Sequence, residues 1–409
     1  MPSRTRRTVL ASALVLGLAA GPLAGPALAN APARTSATAD RPDGPALREA
    51  ISGLPNADAT AALVRVGGTD GTWRGSSGVR DLASGRAALD GGRFRAGSTT
   101  KVVTAAVVLQ LAAERRVDLD APVQRYLPEL FRGKGFRPIS VRQLLNHTSG
   151  IPAGDGFGDG FEDAYAHRFD TLTPQAVVAS ALAKGPSFDP GERQQYLNIN
   201  YTILGMLIEK VTHHTYADEA TRRVLRPAGM RSTSFPGADP VIHGPHNRGY
   251  QLDGGRFVDV TEWNQSDRWA AGDMISTTAD LERLLRALFG GRLVPAPQLK
   301  EMFTVPSDVP GATMSAGLQR LEAGGAVYWG KSGSRYGYTT GIAATRDLSR
   351  TVVYSVGATD AKGDSMNPVA ERVILAAIKS RPARTGGVSP FEWRISLSGF
   401  SVGTSTTGP

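Results

Sequence analysis

The sequence predicts an α/β chain carrying a large, mainly helical (all-α) insert: an antiparallel sheet flanked by helices, completed only by the C-terminal third, with a cleft between two lobes. Three observations carry this expectation. Strand-type patterns form a neighbouring pair near the start, at residues 61–66 and 72–75. They return as three in hairpin succession at 326–329, 340–345 and 351–356. Between them, from about 119 to 270, strand signals are scarce and helical patterns with long loops dominate. A chain of 409 residues, 41% hydrophobic, has ample material for such a core. A cleft between lobes is a favoured place for a site.

Taken in order, residues 1–29 stand apart from the fold. Arg4, Arg6 and Arg7 make a basic head, 9–20 is apolar, and Ala27-Leu28-Ala29 has the small–x–small form of a signal-peptidase site. Thr5-Arg6-Arg7-Thr8-Val9-Leu10 also has the form of a twin-arginine signal. The expectation is a secreted, extracellular protein with a cleaved signal peptide. The apolar run is short and broken by glycine and proline, which argues against a transmembrane anchor in the mature chain. Residues 30–45 read as a flexible leader, and 46–380 as the folded domain.

Within that domain, 47–54 makes a short helix, and the first two strands join through Gly67-Gly68-Thr69-Asp70-Gly71. A long apolar helix begins at Ser98 and ends near Arg115-Arg116. Residues 140–147 form a short helix with a serine cap, and glycines crowd 150–160. Helices follow at 174–183 and 199–211, then an amphipathic one at 278–285. After the three strands, 368–379 is a closing helix, and 381–409 is a C-terminal extension to which no role is assigned.

Composition narrows the chemistry. There are no cysteines, so disulfides, cysteine nucleophiles and cysteine metal sites are excluded. The formal charge is +9, and the signal segment accounts for three arginines and no acids, leaving +6. Without long Lys/Arg runs or zinc-finger spacing, nucleic acid is not an expected partner. His213-His214 lacks an accompanying carboxylate–histidine helix pattern and reads as surface; no metal or organic cofactor is expected.

The chemistry concentrates at Ser98-Thr99-Thr100-Lys101. A serine at a helix start meets unpaired N–H groups and the positive dipole end, and Lys101 lies one turn on, on the same face. A hydroxyl becomes a nucleophile when something takes its proton, and an adjacent amine is one solution. Taken alone, the pattern reads more simply as an N-cap serine with an exposed lysine. Other stretches change that balance: Leu119-Asp120-Ala121-Pro122-Val123 with Tyr126-Leu127-Pro128, Gln143-Leu144-Leu145-Asn146-His147-Thr148-Ser149-Gly150, Pro190-Gly191 leading to Tyr196-Leu197-Asn198, Pro227-Ala228-Gly229-Met230, Ser276-Thr277-Thr278-Ala279-Asp280-Leu281 and Lys331-Ser332-Gly333. In this order and spacing, the chain over about 46–380 resembles the serine β-lactamase and penicillin-binding protein superfamily, in the branch of class C β-lactamases and soluble secreted DD-carboxypeptidases.

The resemblance implies a β-lactamase/DD-peptidase-like fold with the active site in the cleft, and roles for particular residues. Ser98 is then the nucleophile. Tyr196 and Lys101 share the work of proton acceptor, the two ammonium groups Lys101 and Lys331 favouring the phenolate over its free pKa of ~10. Asn198 holds Lys101 and binds the substrate amide carbonyl. Lys331, Ser332 and Gly333 line the site from a strand, and the N–H groups of Ser98 and Ser334 form the oxyanion hole. Ser332 keeps a hydroxyl able to bind a substrate carboxylate. The third motif departs from its relatives, combining a lactamase-like lysine with serine at the second place. Arg320 is the nearest arginine to a terminal-carboxylate grip, with Gln319 competing for that place. His147 reads as structural.

Three functions follow. The leading one is a secreted D-alanyl-D-alanine carboxypeptidase-like hydrolase with a peptidoglycan stem peptide or related D-amino-acid peptide as substrate, and β-lactam antibiotics as acylating partners. The others are a class C-like β-lactamase, or an esterase or amidase on the same scaffold. From outside enzymology comes an envelope-binding or β-lactam-sensing protein, whose signature would be loss of Ser98, Lys101 or Tyr196; all three are present.

Overall fold

The structure, a computed structural model, describes residues 41–158 and 160–378. The signal segment, the leader up to residue 40 and the C-terminal extension lie outside the described residues. Strands follow in chain order as β1 (Ala59–Gly67), β2 (Trp73–Gly78), β3 (Phe94–Arg95), β4 (Tyr250–Asp253), β5 (Arg256–Asp259), β6 (Ile275–Ser276), β7 (Gln319–Ala323), β8 (Ala326–Arg335), β9 (Tyr338–Thr345) and β10 (Thr351–Ala358). Six of these make the main sheet in the order β2-β1-β10-β9-β8-β7, and every neighbouring pair is antiparallel. The N-terminal strands are thus completed by the C-terminal third, as the sequence predicts.

Both faces of the sheet are covered, which is why β1 and β10 read as apolar runs rather than clean alternations. Ala62, Val64 and Val66 of β1 and Val352, Tyr354 and Val356 of β10 pack on one face beneath the helices Gly44–Ala50 and Pro368–Ala377. Leu63 and Val353, one residue out of phase, enter the larger core on the other face. There the helix Thr278–Phe289, capped by Thr277, buries Leu281, Leu284, Leu285 and Leu288 and turns Arg283 and Arg286 outward. The predicted short helix at 140–147 is Val141–Leu145, with a capping box between Ser140 and Gln143.

The helix assigned to Ser98 begins as a tight 3-10 turn, Gly97–Thr99, and runs on as Thr100–Ala113. Every residue from Thr100 to Leu111 is buried, so it is a central helix rather than an amphipathic one. Two strand features correct the sequence reading. β4 and β5 form a hairpin inside the supposedly strand-poor 119–270 segment, turning through Gly254-Gly255, both at positive φ. β7 is a short edge strand with alternate residues turned to solvent, so its polar face hides the pattern.

Candidate active site

The site forms where the Gly97–Thr99 turn presses against β8. Gly97 has φ +53°, and a Cβ there would lie 2.6 Å from the Ser334 nitrogen. A Cβ on Gly333 would lie 2.1 Å from the Ala96 carbonyl oxygen and 2.9 Å from the Ser98 nitrogen. Only glycine fits at both positions. This close approach brings the backbone N–H groups of Ser98 and Ser334 to one spot, the arrangement an oxyanion requires.

Threonines of the central helix fix its register against the segment 270–274. Thr104 Oγ1 donates to Ala270 O at 2.7 Å, and the Met274 N–H donates to Thr100 Oγ1 at 3.2 Å. The carbonyl of Ala271 is thereby aimed at Lys101. Lys101 is fully buried, its Nζ 2.7 Å from Ala271 O, 2.6 Å from Asn198 Oδ1 and 3.1 Å from Ser98 Oγ. Burial, then the charges of Lys331, Arg268 and Lys362, hold its pKa well below the ordinary lysine value. The exposed-lysine reading of Ser-x-x-Lys is excluded. Asn198 stands at the head of the helix Ile199–Thr212, where asparagine is a common cap, but its side chain makes no cap and accepts from Lys101 instead.

Tyr196 is brought to the same place but not into the expected state. Lys101 Nζ lies 5.0 Å and Lys331 Nζ 4.4 Å from the centroid of its ring, so both approach the π face. Burial pushes the phenol's pKa upward, and Ser98 and Arg268 offset this only in part. The expectation that two lysines favour the phenolate is therefore corrected: Tyr196 is held as a neutral phenol. His147, buried and at φ +62°, braces that ring with centroids 4.6 Å apart. Burial, with the nearby Lys101 and Lys331 charges, holds its imidazole neutral.

Lys331 is 6% exposed, and burial lowers its pKa to about 7. Its Nζ donates to the Ser332 carbonyl at 2.9 Å. Ser332 is half-buried and lines a groove of about 690 Å3 with Tyr196, Lys331, Met314 and Gln319. Ser334 Oγ donates to the Ala361 carbonyl, tying β8 to the loop after β10. Arg320 lines the groove, but its guanidinium is exposed and paired with Glu322 at 2.6 Å. Of the predicted residues, it alone is not gathered around Ser98. Gln319, its competitor, is buried beside Gly330. His213 and His214 are exposed, His214 contacting Glu219 at 3.0 Å.

Sequence reasoning missed several participants. The Ala271 carbonyl carries no side-chain signal at all. Gln194 clamps the loop before β7, accepting the N–H groups of Thr313 and Met314 at 2.9 Å. Around Ser334 stands a charged cluster of Asp267, Arg268, Arg335 and Lys362, drawn from three separate segments.

Known proteins share this architecture. A D-stereospecific amidohydrolase from Streptomyces sp. superposes with a TM-score of 0.72 at 34% identity, covering 82% of this chain and 98% of that one. D-amino acid amidase from Ochrobactrum anthropi SV3 gives 0.68 at 25% identity, again over 82% and 98%. The putative penicillin-binding protein PbpX of Bacillus subtilis (strain 168) is 27% identical over 225 residues, 55% of this chain and 52% of that protein. The chain spans only about two-fifths to half of the curated relatives' length, from 38% to 52%. The family model described as Beta-lactamase matches residues 47–376, from the first helix through the last, and so takes in the whole of the main sheet and the Ser98 turn. The chain belongs to the beta-lactamase family of serine hydrolases.

Proposed function

We propose that this chain is an exported serine hydrolase that cleaves the amide bond following a D-configured residue, D-alanyl-D-alanine-type peptides included, through an acyl-enzyme on Ser98. One observation carries the reading. The two nearest partners of Lys101 Nζ, Asn198 Oδ1 and Ala271 O, are acceptors only. A neutral amine satisfies both with its two N–H groups and turns its lone pair to the Ser98 hydroxyl. Lys101 is then the base that takes the Ser98 proton as the oxygen attacks the carbonyl. The oxyanion is held by the Ser98 and Ser334 N–H groups. Tyr196, a neutral phenol beside Ser98, relays a proton to the departing nitrogen. Asn198 faces the substrate amide, and Lys331 with Ser332 receives the leaving group. The D-stereospecific amidohydrolase and D-amino acid amidase among its structural relatives support the stereochemistry. The engagement of Arg320 with Glu322 leaves a terminal carboxylate without an arginine grip, which favours amides alongside carboxypeptidase substrates. A β-lactamase reading rests on Lys331 and differs only in a faster breakdown of the acyl-enzyme.

The test pairs intact-mass time courses with benzylpenicillin and hydrolysis of D- and L-alanine p-nitroanilides. A lasting drug-sized adduct on the wild type is expected, absent in Ser98→Ala. In Lys101→Arg acylation slows by at least about a hundredfold, because a guanidinium does not give up its proton. The D-anilide is cleaved and the L-anilide is not. Drug consumed in excess of enzyme puts β-lactamase first; neither adduct nor D-selective cleavage defeats the proposal.

A further inference from the structure

The cluster beside Ser334 acts on the chemistry above only at a distance, Arg268 and Lys362 lowering the Lys101 pKa, and its charges do not balance. Asp267 is its one buried carboxylate, its side chain 6% exposed. Arg268 Nε lies 3.0 Å from Asp267 Oδ2, and the two terminal nitrogens of Arg335 approach the same carboxylate at 3.4 and 3.5 Å. Lys362 Nζ sits 3.4 Å from the Ser334 carbonyl. Asp360, on the same loop as Lys362, is exposed. Three cations therefore share one buried carboxylate.

Exposure sorts them into two pairs. Arg335 and Asp267 are closed off, with side chains 4% and 6% exposed. Arg268, 33% exposed, and the half-buried Lys362 are the two that remain open. Arg335 Nε is buried without a hydrogen-bond partner, so even the inner pair leaves positive character unsatisfied. Uncompensated buried charge is costly and is relieved by a counter-ion or by loss of a proton. Burial, then Arg268 and Arg335, hold the Lys362 ammonium well below its ordinary range despite Asp267. Arg268, Arg335 and Lys362 set against Asp267 alone make the cluster short of negative charge next to the oxyanion position.

We propose that the open edge of this cluster beside Ser334 is an anion-accepting subsite, in which Arg268 and Lys362 recognise a carboxylate on the acyl portion of the substrate. The direction rests on the amide-hydrolase reading. Ser332 and Ser334 flank Gly333, where an added Cβ would lie 2.9 Å from the Ser98 nitrogen. With the leaving group at Lys331 and Ser332, the acyl portion runs past Ser334 and reaches the two open cations. The preferred acyl donor is a D-residue extended by an acidic group.

The test uses two isosteric amides, N-succinyl-D-alanine p-nitroanilide and its succinamoyl counterpart, which exchanges the carboxylate for a carboxamide. The wild-type enzyme is expected to favour the acid by about tenfold in kcat/KM, the scale of one charged hydrogen bond. That ratio falls toward one in Arg268→Gln and in Lys362→Gln, while Arg268→Lys retains part of it. Because the ratio is taken within each variant, a general loss of activity does not mimic the result. Equal rates in the wild type, or an acid preference that survives both substitutions, overturn the subsite and leave the amide-hydrolase reading standing. If neither amide is cleaved, that reading fails, and calorimetric titration of both compounds into Ser98→Ala decides the subsite alone. Tighter binding of the acid upholds it, and equal affinities overturn it.

Discussion

Lys331 shows how a single residue is held against its own solvation. Its ammonium is enclosed by β8 and the ring of Tyr196, and burial brings its pKa to about 7 from an ordinary 10.5. The sign of the stability effect follows. Below pH 7 the lysine is protonated folded and unfolded, and the fold bears the full cost of burying the charge. Between pH 7 and 10.5 the unfolded chain binds more protons, so stability rises with pH. Lys331→Met keeps the packed stem and removes the charge. It is expected to raise Tm by several degrees at pH 6, the gap to wild type narrowing toward pH 10; melting curves across that range check it, and a pH-independent gap contradicts the account. Lys101 obeys the same physics, but there, in the proposed mechanism, the lost proton serves the chemistry. The sequence identified both lysines and Tyr196 from their motifs. It did not reveal that the ammonium groups approach the phenol through its ring face, because motif spacing says nothing of the angle at which two side chains meet.

Among elements, the contact between the Gly97–Thr99 turn and β8 decides whether two N–H groups converge. Gly333→Ala would drive a methyl group into the Ala96 carbonyl and separate strand from turn. Acylation by benzylpenicillin is expected to slow by about a hundredfold or more, the scale of losing one oxyanion donor. β8 stays paired with β9 from Tyr328 to Arg335 and with β7 from Ala326 to Gly330, so circular dichroism and cooperative melting persist. A variant that acylates normally contradicts this role for the glycine. Most elements were legible because their patterns are local: the serine cap at Ser140, the apolar strands, the amphipathic helix read over 278–285. Those that were missed fail for identifiable reasons. The β4–β5 hairpin carries a plain Gly254-Gly255 turn but lies in a segment otherwise helical. β7 has an edge strand's polar face, and its pairing with β8 is a long-range fact.

Across the whole molecule, β10 lies between β1 and β9 and joins the two ends of the chain. Ending the chain ahead of Thr351 would split the sheet into β2-β1 and β9-β8-β7 and expose both apolar faces of β1. Such a truncation is expected to lose cooperative unfolding and all penicillin adduct, although Ser98, Lys101, Tyr196 and Lys331 remain; a folded, acylating product contradicts the topology argument. At this scale the sequence was least informative about the cluster of Asp267, Arg268, Arg335 and Lys362. Its members come from the segment before Ala271, from β8 and from the loop after β10, and no local pattern announces that they meet.

The same topology sets an order of events on the ribosome. Ser98 and its helix emerge early, whereas Ser334 follows roughly 240 residues later, some 10–50 s of synthesis at ordinary elongation rates. Throughout that interval β1 has no β10 beside it, and the Ser98 turn has no strand to press against. On the proposed mechanism, the nascent chain therefore carries its nucleophile without the means to use it. Catalytic competence arrives only when the last strands have left the exit tunnel.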